Sequence, residues 1–241
     1  MGIADWDITS GGDAAMTHDA FQHTNVPVDQ LSHDVWARRI DNVGGTGFGR
    51  MQFLYGTGAP SYADFGISKD VSVRSAMCLG LRNSGHALAL GARMSAGISS
   101  DLTDNKLLSE DGYQLRLFEN GTDWRMALYR VNSGGEVQLG STIDLATGVL
   151  GDYKWFHLRL DFLLQPNGDA TIQAFTNDIG VNPINPANVP TWGAVWVKVI
   201  DEDELAVSVP AYDRVGWGGQ VDPGAGAIYE GYMDWTECWH S

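Results

Sequence analysis

The sequence predicts an all-β fold, two antiparallel sheets packed face to face as a β-sandwich, with an irregular N-terminal extension. Three observations carry this expectation. Apolar and polar residues alternate with a period of two in segment after segment, the mark of strands buried on one face. Turn-formers, with thirty glycines in 241 residues, separate these segments at short intervals. Sustained helical periodicity is missing, while 44% apolar and 10% aromatic residues supply a sizeable core and argue against disorder. Sandwiches of this length form a single unit, and no internal repeat or shift in composition divides the chain. Residues 1–60 are read as an arm carrying the first strands and a candidate docking segment, and residues 61–241 as the sandwich proper.

The elements follow in chain order. Within the N-terminal part, residues 29–40 suit either a short helix after Pro27 or an edge strand through Val35-Trp36-Ala37-Arg38. Gly44-Gly45-Thr46-Gly47-Phe48-Gly49 reads as a glycine-rich turn. It is no phosphate loop, since no Lys-Ser/Thr pair closes it and no helix follows. Residues 71–82 place Val71, Val73, Met77, Leu79 and Leu81 on one face, and Asn83-Ser84-Gly85 turns the chain into residues 85–90. Residues 113–119 and 125–131 pair across Asn120-Gly121-Thr122-Asp123, and a hairpin tip at 131–136 leads into 137–143. The clearest strand is 154–165. Phe156, Leu158, Leu160 and Phe162 point one way, and Trp155, His157, Arg159 and Asp161 the other. Pro166-Asn167-Gly168-Asp169 ends it, and residues 170–176 return as the second arm of a long hairpin. Prolines 183, 186 and 190 mark an extended loop, because proline is excluded from central strands. Segments at 192–200, 205–209, 214–217 and 227–239 complete the set.

Fifteen Lys and Arg against thirty Asp and Glu give a formal net charge of −15. Such a surface repels nucleic acid and anionic membranes, and no basic cluster compensates. It suits solubility at high local density, docking on a basic partner, or cation binding. No apolar run spans a bilayer, so no membrane insertion is expected. Met1-Gly2-Ile3-Ala4-Asp5-Trp6 has neither the basic start nor the apolar stretch of a signal peptide. Cys78 and Cys238 read as two free thiols of a reducing compartment, with a disulfide between them as the alternative.

Trp155-Phe156-His157-Leu158-Arg159-Leu160-Asp161, the turn at Asn167-Gly168 and Ala170-Thr171-Ile172-Gln173-Ala174-Phe175 together resemble the signature hairpin of concanavalin A-like jelly rolls, the laminin G-like, lectin and glucanase superfamily. Arg214-Val215-Gly216-Trp217-Gly218-Gly219 followed by Tyr229-Glu230-Gly231-Tyr232-Met233-Asp234-Trp235 is similar to its closing segment, and residues 113–117 and 126–130 to its central strands. The resemblance extends from about Val71 to Trp239. It implies a two-sheet antiparallel jelly-roll β-sandwich, one sheet concave, where relatives often bind glycans. It does not fix function, because the superfamily holds lectins, glycosidases, adhesion modules and virion proteins.

Glycoside hydrolysis needs two carboxyl groups flanking the bond. The resembling family's retaining glucanases carry them on one strand as Glu-x-Asp-x-(x-)Glu, a pattern this sequence lacks. Asp201-Glu202-Asp203-Glu204 alternates its acids between opposite faces if extended and reads as a solvated turn. Glu230, Asp234 and Glu237 lie in the last strand, where Asp234 has the parity of Glu230 but not of Glu237. No Gly-x-Ser-x-Gly elbow or HExxH spacing occurs among the serines and histidines. His157, on the non-core face, is read as surface packing. No cofactor is expected. His18, His23 and His33 cluster in the N-terminal part as a candidate metal site, although polar loop histidines are commoner. Calcium has candidate ligands in Asp101-Leu102-Thr103-Asp104-Asn105 or Asn177-Asp178, although Asp and Asn in such loops more often stabilise turns.

The best binding candidate is the segment 192–200. Val195, Val197 and Val199 form its core face; Trp192, Trp196 and Lys198 share the other. The two indoles lie about 13 Å apart along a strand, a spacing that suits stacking on separated sugar rings or an interface anchor. The bland alternative is that both indoles simply cover the outer sheet beneath the proline-rich loop. Trp124, Trp217 and Tyr129 are weaker candidates of the same kind. The sequence thus leads to a non-catalytic structural or binding module, expected to be a virion protein made in the host cytoplasm, such as a phage head-decoration or tail accessory subunit. Its expected partners are capsid or tail proteins, further copies of itself and a glycan. A carbohydrate-binding lectin-like module is the alternative, and a divergent glycoside hydrolase the next.

Overall fold

The computed structural model describes residues 7–20, 36–54, 70–79, 87–94, 111–120, 123–132, 135–146, 154–177, 196–205, 207, 214–220 and 229–240. Every regular element among them is a strand: β1 (Asp7–Ala20), β2 (Trp36–Leu54), β3 (Val71–Leu79), β4 (Ala87–Met94), β5 (Gly112–Asn120), β6 (Asp123–Asn132), β7 (Gly135–Ala146), β8 (Lys154–Leu164), β9 (Ala170–Asn177), β10 (Trp196–Glu204), β11 (Arg214–Gln220) and β12 (Tyr229–His240). All pair antiparallel in the order β10-β9-β8-β3-β12-β2-β11-β4-β5-β6-β7, with β1 added on β2.

This one ladder makes two sheets because β2 belongs to both. Residues 38–42 of β2 pair with residues 229–233 of β12, and residues 48–54 pair with residues 214–220 of β11. Residues 43–46 take part in neither register, and β1 shifts its own register at Gly12/Ala14 opposite them. Gly44 and Gly45 occupy this break. Without side chains they let the strand turn the corner from one sheet to the other. The glycine-rich segment expected as a turn therefore lies inside a strand. Of the two alternatives for residues 29–40, the strand holds from Trp36 onward.

The hydrophobic alternation read from the sequence becomes the interior. Phe156, Leu158, Leu160 and Phe162 of β8 are buried with Val73 and Met77 of β3 and Ile172 and Ala174 of β9. Facing them are Leu88 and Leu90 of β4, Leu115 and Leu117 of β5, and Met126 and Leu128 of β6. Aromatic rings lock the layers together. Tyr113 of β5 lies 5.2 Å from Phe162, and Trp124 of β6 lies 5.9 Å from Phe156, both tilted, an arrangement rings prefer to direct stacking. At one side β7 passes over β10 so closely that a methyl group on Gly140 would come within 2.6 Å of a Glu202 carboxylate oxygen.

The β8–β9 hairpin forms as expected. The Gly168 amide donates to the Gln165 carbonyl at 3.0 Å, the Asn167 side chain accepts from the Asp169 amide at 3.1 Å, and Gly168 takes the positive φ of 90° that the turn requires. Two expectations need correction. Leu205 does not begin a strand: β10 ends at Glu204 opposite Ala170, where its partner β9 starts, and Leu205 bends away, 78% exposed; Val207 is in no strand either, and residues 206, 208 and 209 lie outside the described residues. Asp201-Glu202-Asp203-Glu204 is not a solvated turn but the last part of β10, with Glu204 buried. Cys78 pairs in register with Tyr232 and Cys238 with Val73. Five residues of β3 separate the two positions, about 17 Å along the ladder, well beyond disulfide reach.

Candidate functional site

The face of β3, β8, β9, β10 and β12 that turns away from the core is ordered into cross-strand rows. One row runs Trp196, Asn177, His157, Ala76, Asp234; the next runs Lys198, Phe175, Arg159, Arg74, Glu237; a third runs Asp201, Gln173, Asp161, Ser72. These rows exist because of two β-bulges. In β10 the register slips between Lys198 and Ile200, so that Ile200 enters the core and Asp201 returns to the outer face. In β12 it slips between Asp234 and Glu237.

Within the rows each described charge meets a partner. The Arg159 guanidinium grips the Asp161 carboxylate with both arms, its Nε donating at 2.7 Å, and lies flat over the Phe175 ring, 4.4 Å from its centroid. Lys198 is paired with Asp201, which also accepts from Gln173 Nε2 at 2.8 Å. Thr171 Oγ1 donates to Asp203 at 2.8 Å. The hydrogen bonds from Lys198 and then Gln173 hold the Asp201 carboxyl below its usual range.

The face is dry at β8 and open at β10. His157 is fully buried and Asp161 is 2% exposed, whereas Trp196 is half-buried and Lys198 and Asp201 are exposed. This corrects the expectation of a surface histidine. Burial pushes the His157 imidazole down to about 3, with the nearby Arg74 charge as a lesser cause, so it is neutral at physiological pH.

The structure brings Trp196 and Lys198 onto this face together, with Phe175, Arg159, Asp161, Gln173 and Asp201 beside them. Val197 does not join the core as expected. It is 46% exposed at the end of the edge strand, and the bulge at Val199 hands the inward position to Ile200. Tyr129 lies elsewhere, on the outer face of the opposite sheet, where Arg116 covers its ring at 4.2 Å while bonding to Gln114 and, at 2.7 Å, to Glu136. Trp217 falls in β11, in register with Leu90 and Met51. Trp192, His23, His33 and the segment 101–105 lie outside the described residues, as does Asp178. Among the described residues no group of three His, Cys, Asp or Glu side chains could hold a metal ion.

Sequence reasoning missed the effect of the bulge in β12. Simple alternation separates Asp234 from Glu237, but the bulge sets them opposite Ala76 and Arg74, two positions of the same parity. The glucanase pattern of the resembling family would need a glutamate at 232, and Tyr232 stands there. A second polar cluster closes one end of the core: the Tyr113 hydroxyl donates to Glu204, whose other oxygen takes Arg130 Nη1 at 2.8 Å. Burial, reinforced by the Glu204 carboxylate, pushes the Tyr113 phenol strongly up.

An endo-β-1,4-glucuronan lyase from the fungus Trichoderma reesei superposes with a TM-score of 0.52 at 10% identity, over 99% of this chain and 92% of that one. The two antiparallel sheets share that jelly-roll β-sandwich fold. The binding domain of botulinum neurotoxin DC, solved with rat synaptotagmin II, gives a TM-score of 0.50 at 8% identity, over 97% of this chain and 43% of that one. A carbohydrate esterase from the Shiga toxin-encoding bacteriophage phi24B gives 0.46 at 13% identity, over 99% and 89%. No protein-family model and no curated protein matches the sequence.

Proposed function

We propose that this jelly roll is a non-catalytic, lectin-like module that holds a carbohydrate on the outer face of β9 and β10, as a subunit of a virion surface. The observation that carries the reading is the pairing of Trp196 with Phe175 across a floor of fixed polar groups. Trp196 faces Asn177 and Lys198 faces Phe175, so the two aromatic residues are diagonal neighbours, about 7–8 Å apart. Lys198 stands beside Phe175, and in the next row Asp201 and Gln173 are bonded to each other and, through Asp201, to Lys198. Apolar ring faces with oriented hydrogen-bond groups around them are what the two sides of a pyranose require. The non-catalytic part is supported by the two buried carboxylates described. Asp161 lies on the outer face against Arg159, and Glu204 lies in the core against Arg130, so they cannot flank one glycosidic bond. The acid excess supports the virion part, since it suits dense packing against basic capsid or tail partners.

A glycan array probed with wild type and Trp196→Ala tests the reading. Wild type is expected to bind at least one oligosaccharide class and the variant to lose it at least ten-fold; binding by neither protein overturns the reading. Light scattering separates the virion part, which expects an oligomer or a particle-bound subunit, from a partnerless monomer. The bulge in β12 favours one second reading, a divergent glycoside hydrolase using Asp234 and Glu237. Polysaccharide cleavage abolished by Asp234→Asn and Glu237→Gln would establish it in place of the first.

A further inference from the structure

We propose that the β9–β10 site is selective for neutral glycans and rejects acidic ones. This inference rests on the carbohydrate-binding reading and names the ligand class of that same site. Binding a uronate or another acidic sugar calls for a cation with bonding capacity turned toward the ligand. The cations of this face are committed elsewhere. Arg159 donates from Nε and Nη2 to Asp161 and packs over the Phe175 ring. Lys198 is held by Asp201.

The surplus on the face is of the opposite sign. Asp203 is exposed beside Thr171, next to exposed Asp201. A carboxylate brought to Trp196 would therefore meet exposed Asp201 and Asp203 within a few residues of β10. It would have to share Lys198 with Asp201. The chain's formal charge of −15 adds a long-range field of the same sign. A neutral pyranose encounters none of this: its ring face meets Trp196 and Phe175, and its hydroxyls can donate to the exposed Asp201 and Asp203 oxygens.

The test is an affinity comparison at low ionic strength between neutral oligosaccharides and oligouronates matched in linkage and length, together with the methyl esters of the same oligouronates. Wild type is expected to bind the neutral and esterified members at least ten-fold more tightly than the free acids, with the ratio shrinking as salt screens the site. Asp201→Asn, an exposed position, releases Lys198 and is expected to narrow the ratio several-fold. Tighter binding of the free acids than of their esters, lost in Trp196→Ala, overturns the inference while leaving the carbohydrate reading in place. Binding of no member overturns that reading, and the inference with it. A ratio unchanged in Asp201→Asn also counts against it, because the committed Lys198–Asp201 pair is its stated cause.

Discussion

His157 shows how much one residue's setting changes its meaning. By alternation it belongs to the outer side of β8, where a histidine is ordinarily wet, yet it is buried and neutral. The sequence contained the parity but not the covering, because burial of an outer face depends on what lies over the sheet and not on the strand's own pattern. The consequence is a pH dependence. The folded state binds a proton at His157 only near pH 3, while the unfolded chain binds one near 6.5. The unfolded state therefore carries more protons in between, and stability present above pH 6.5 is lost as pH falls toward 3. The loss approaches about 1.4 kcal/mol per pH unit from this residue alone. Urea unfolding of wild type and His157→Gln at pH 7 and pH 4.5 should show the variant's stability falling less between the two. Equal losses would mean that the imidazole is not the titrating group.

At the scale of elements, the strands were legible and their irregularities were not. The β8–β9 hairpin could be read in full because alternation, Pro166-Asn167-Gly168-Asp169 and the returning strand agree. The bulges in β10 and β12 could not, since each adds one residue whose only signature is a break in alternation, and Val199 or Trp235-Thr236 look like any other strand residues. Yet the bulges decide the candidate site: they aim Asp201 outward and set Glu237 beside Asp234 in parity. Asp201 was visible in the sequence as an acid but was assigned to a turn. Phe175 was visible as a strand residue with no sign that Arg159 would cover it. Deleting Val199 removes the bulge and reverses the parity between Trp196 and the rest of β10, so that Ile200 is exposed or Trp196 is displaced. A loss of about 1.5–3 kcal/mol is expected from exposing Ile200 alone, against less for Val199→Ala, with glycan binding lost in the deletion. Denaturant midpoints for the two variants check this, and equal midpoints would contradict the role given to the bulge.

For the whole molecule, the fold class followed from two-residue alternation and frequent turns, but the way the sheets join did not. β2 carries Gly44, Gly45, Gly47 and Gly49 and several charges, a composition that looks like a loop until its two halves are seen pairing with β12 and β11. That junction places the β9–β10 edge at the far end of one sheet, away from β2, with Trp196, Lys198 and Asp201 on its open outer side. It also sets Tyr129, with Arg116 across its ring, on the outer face of the other sheet, so Trp196 and Tyr129 fall on two opposite surfaces, while Trp124 is buried in the core. The central claim is that ligand is held on the first of these. Backbone amide NMR of the isotopically labelled protein, titrated with a glycan that the array identifies, tests it most directly. Shifts should concentrate at Gln173–Asn177 and Trp196–Asp203 and leave Gln114, Arg116, Tyr129 and Gln138 unmoved; shifts centred on the latter group, with β9 and β10 silent, would contradict the account.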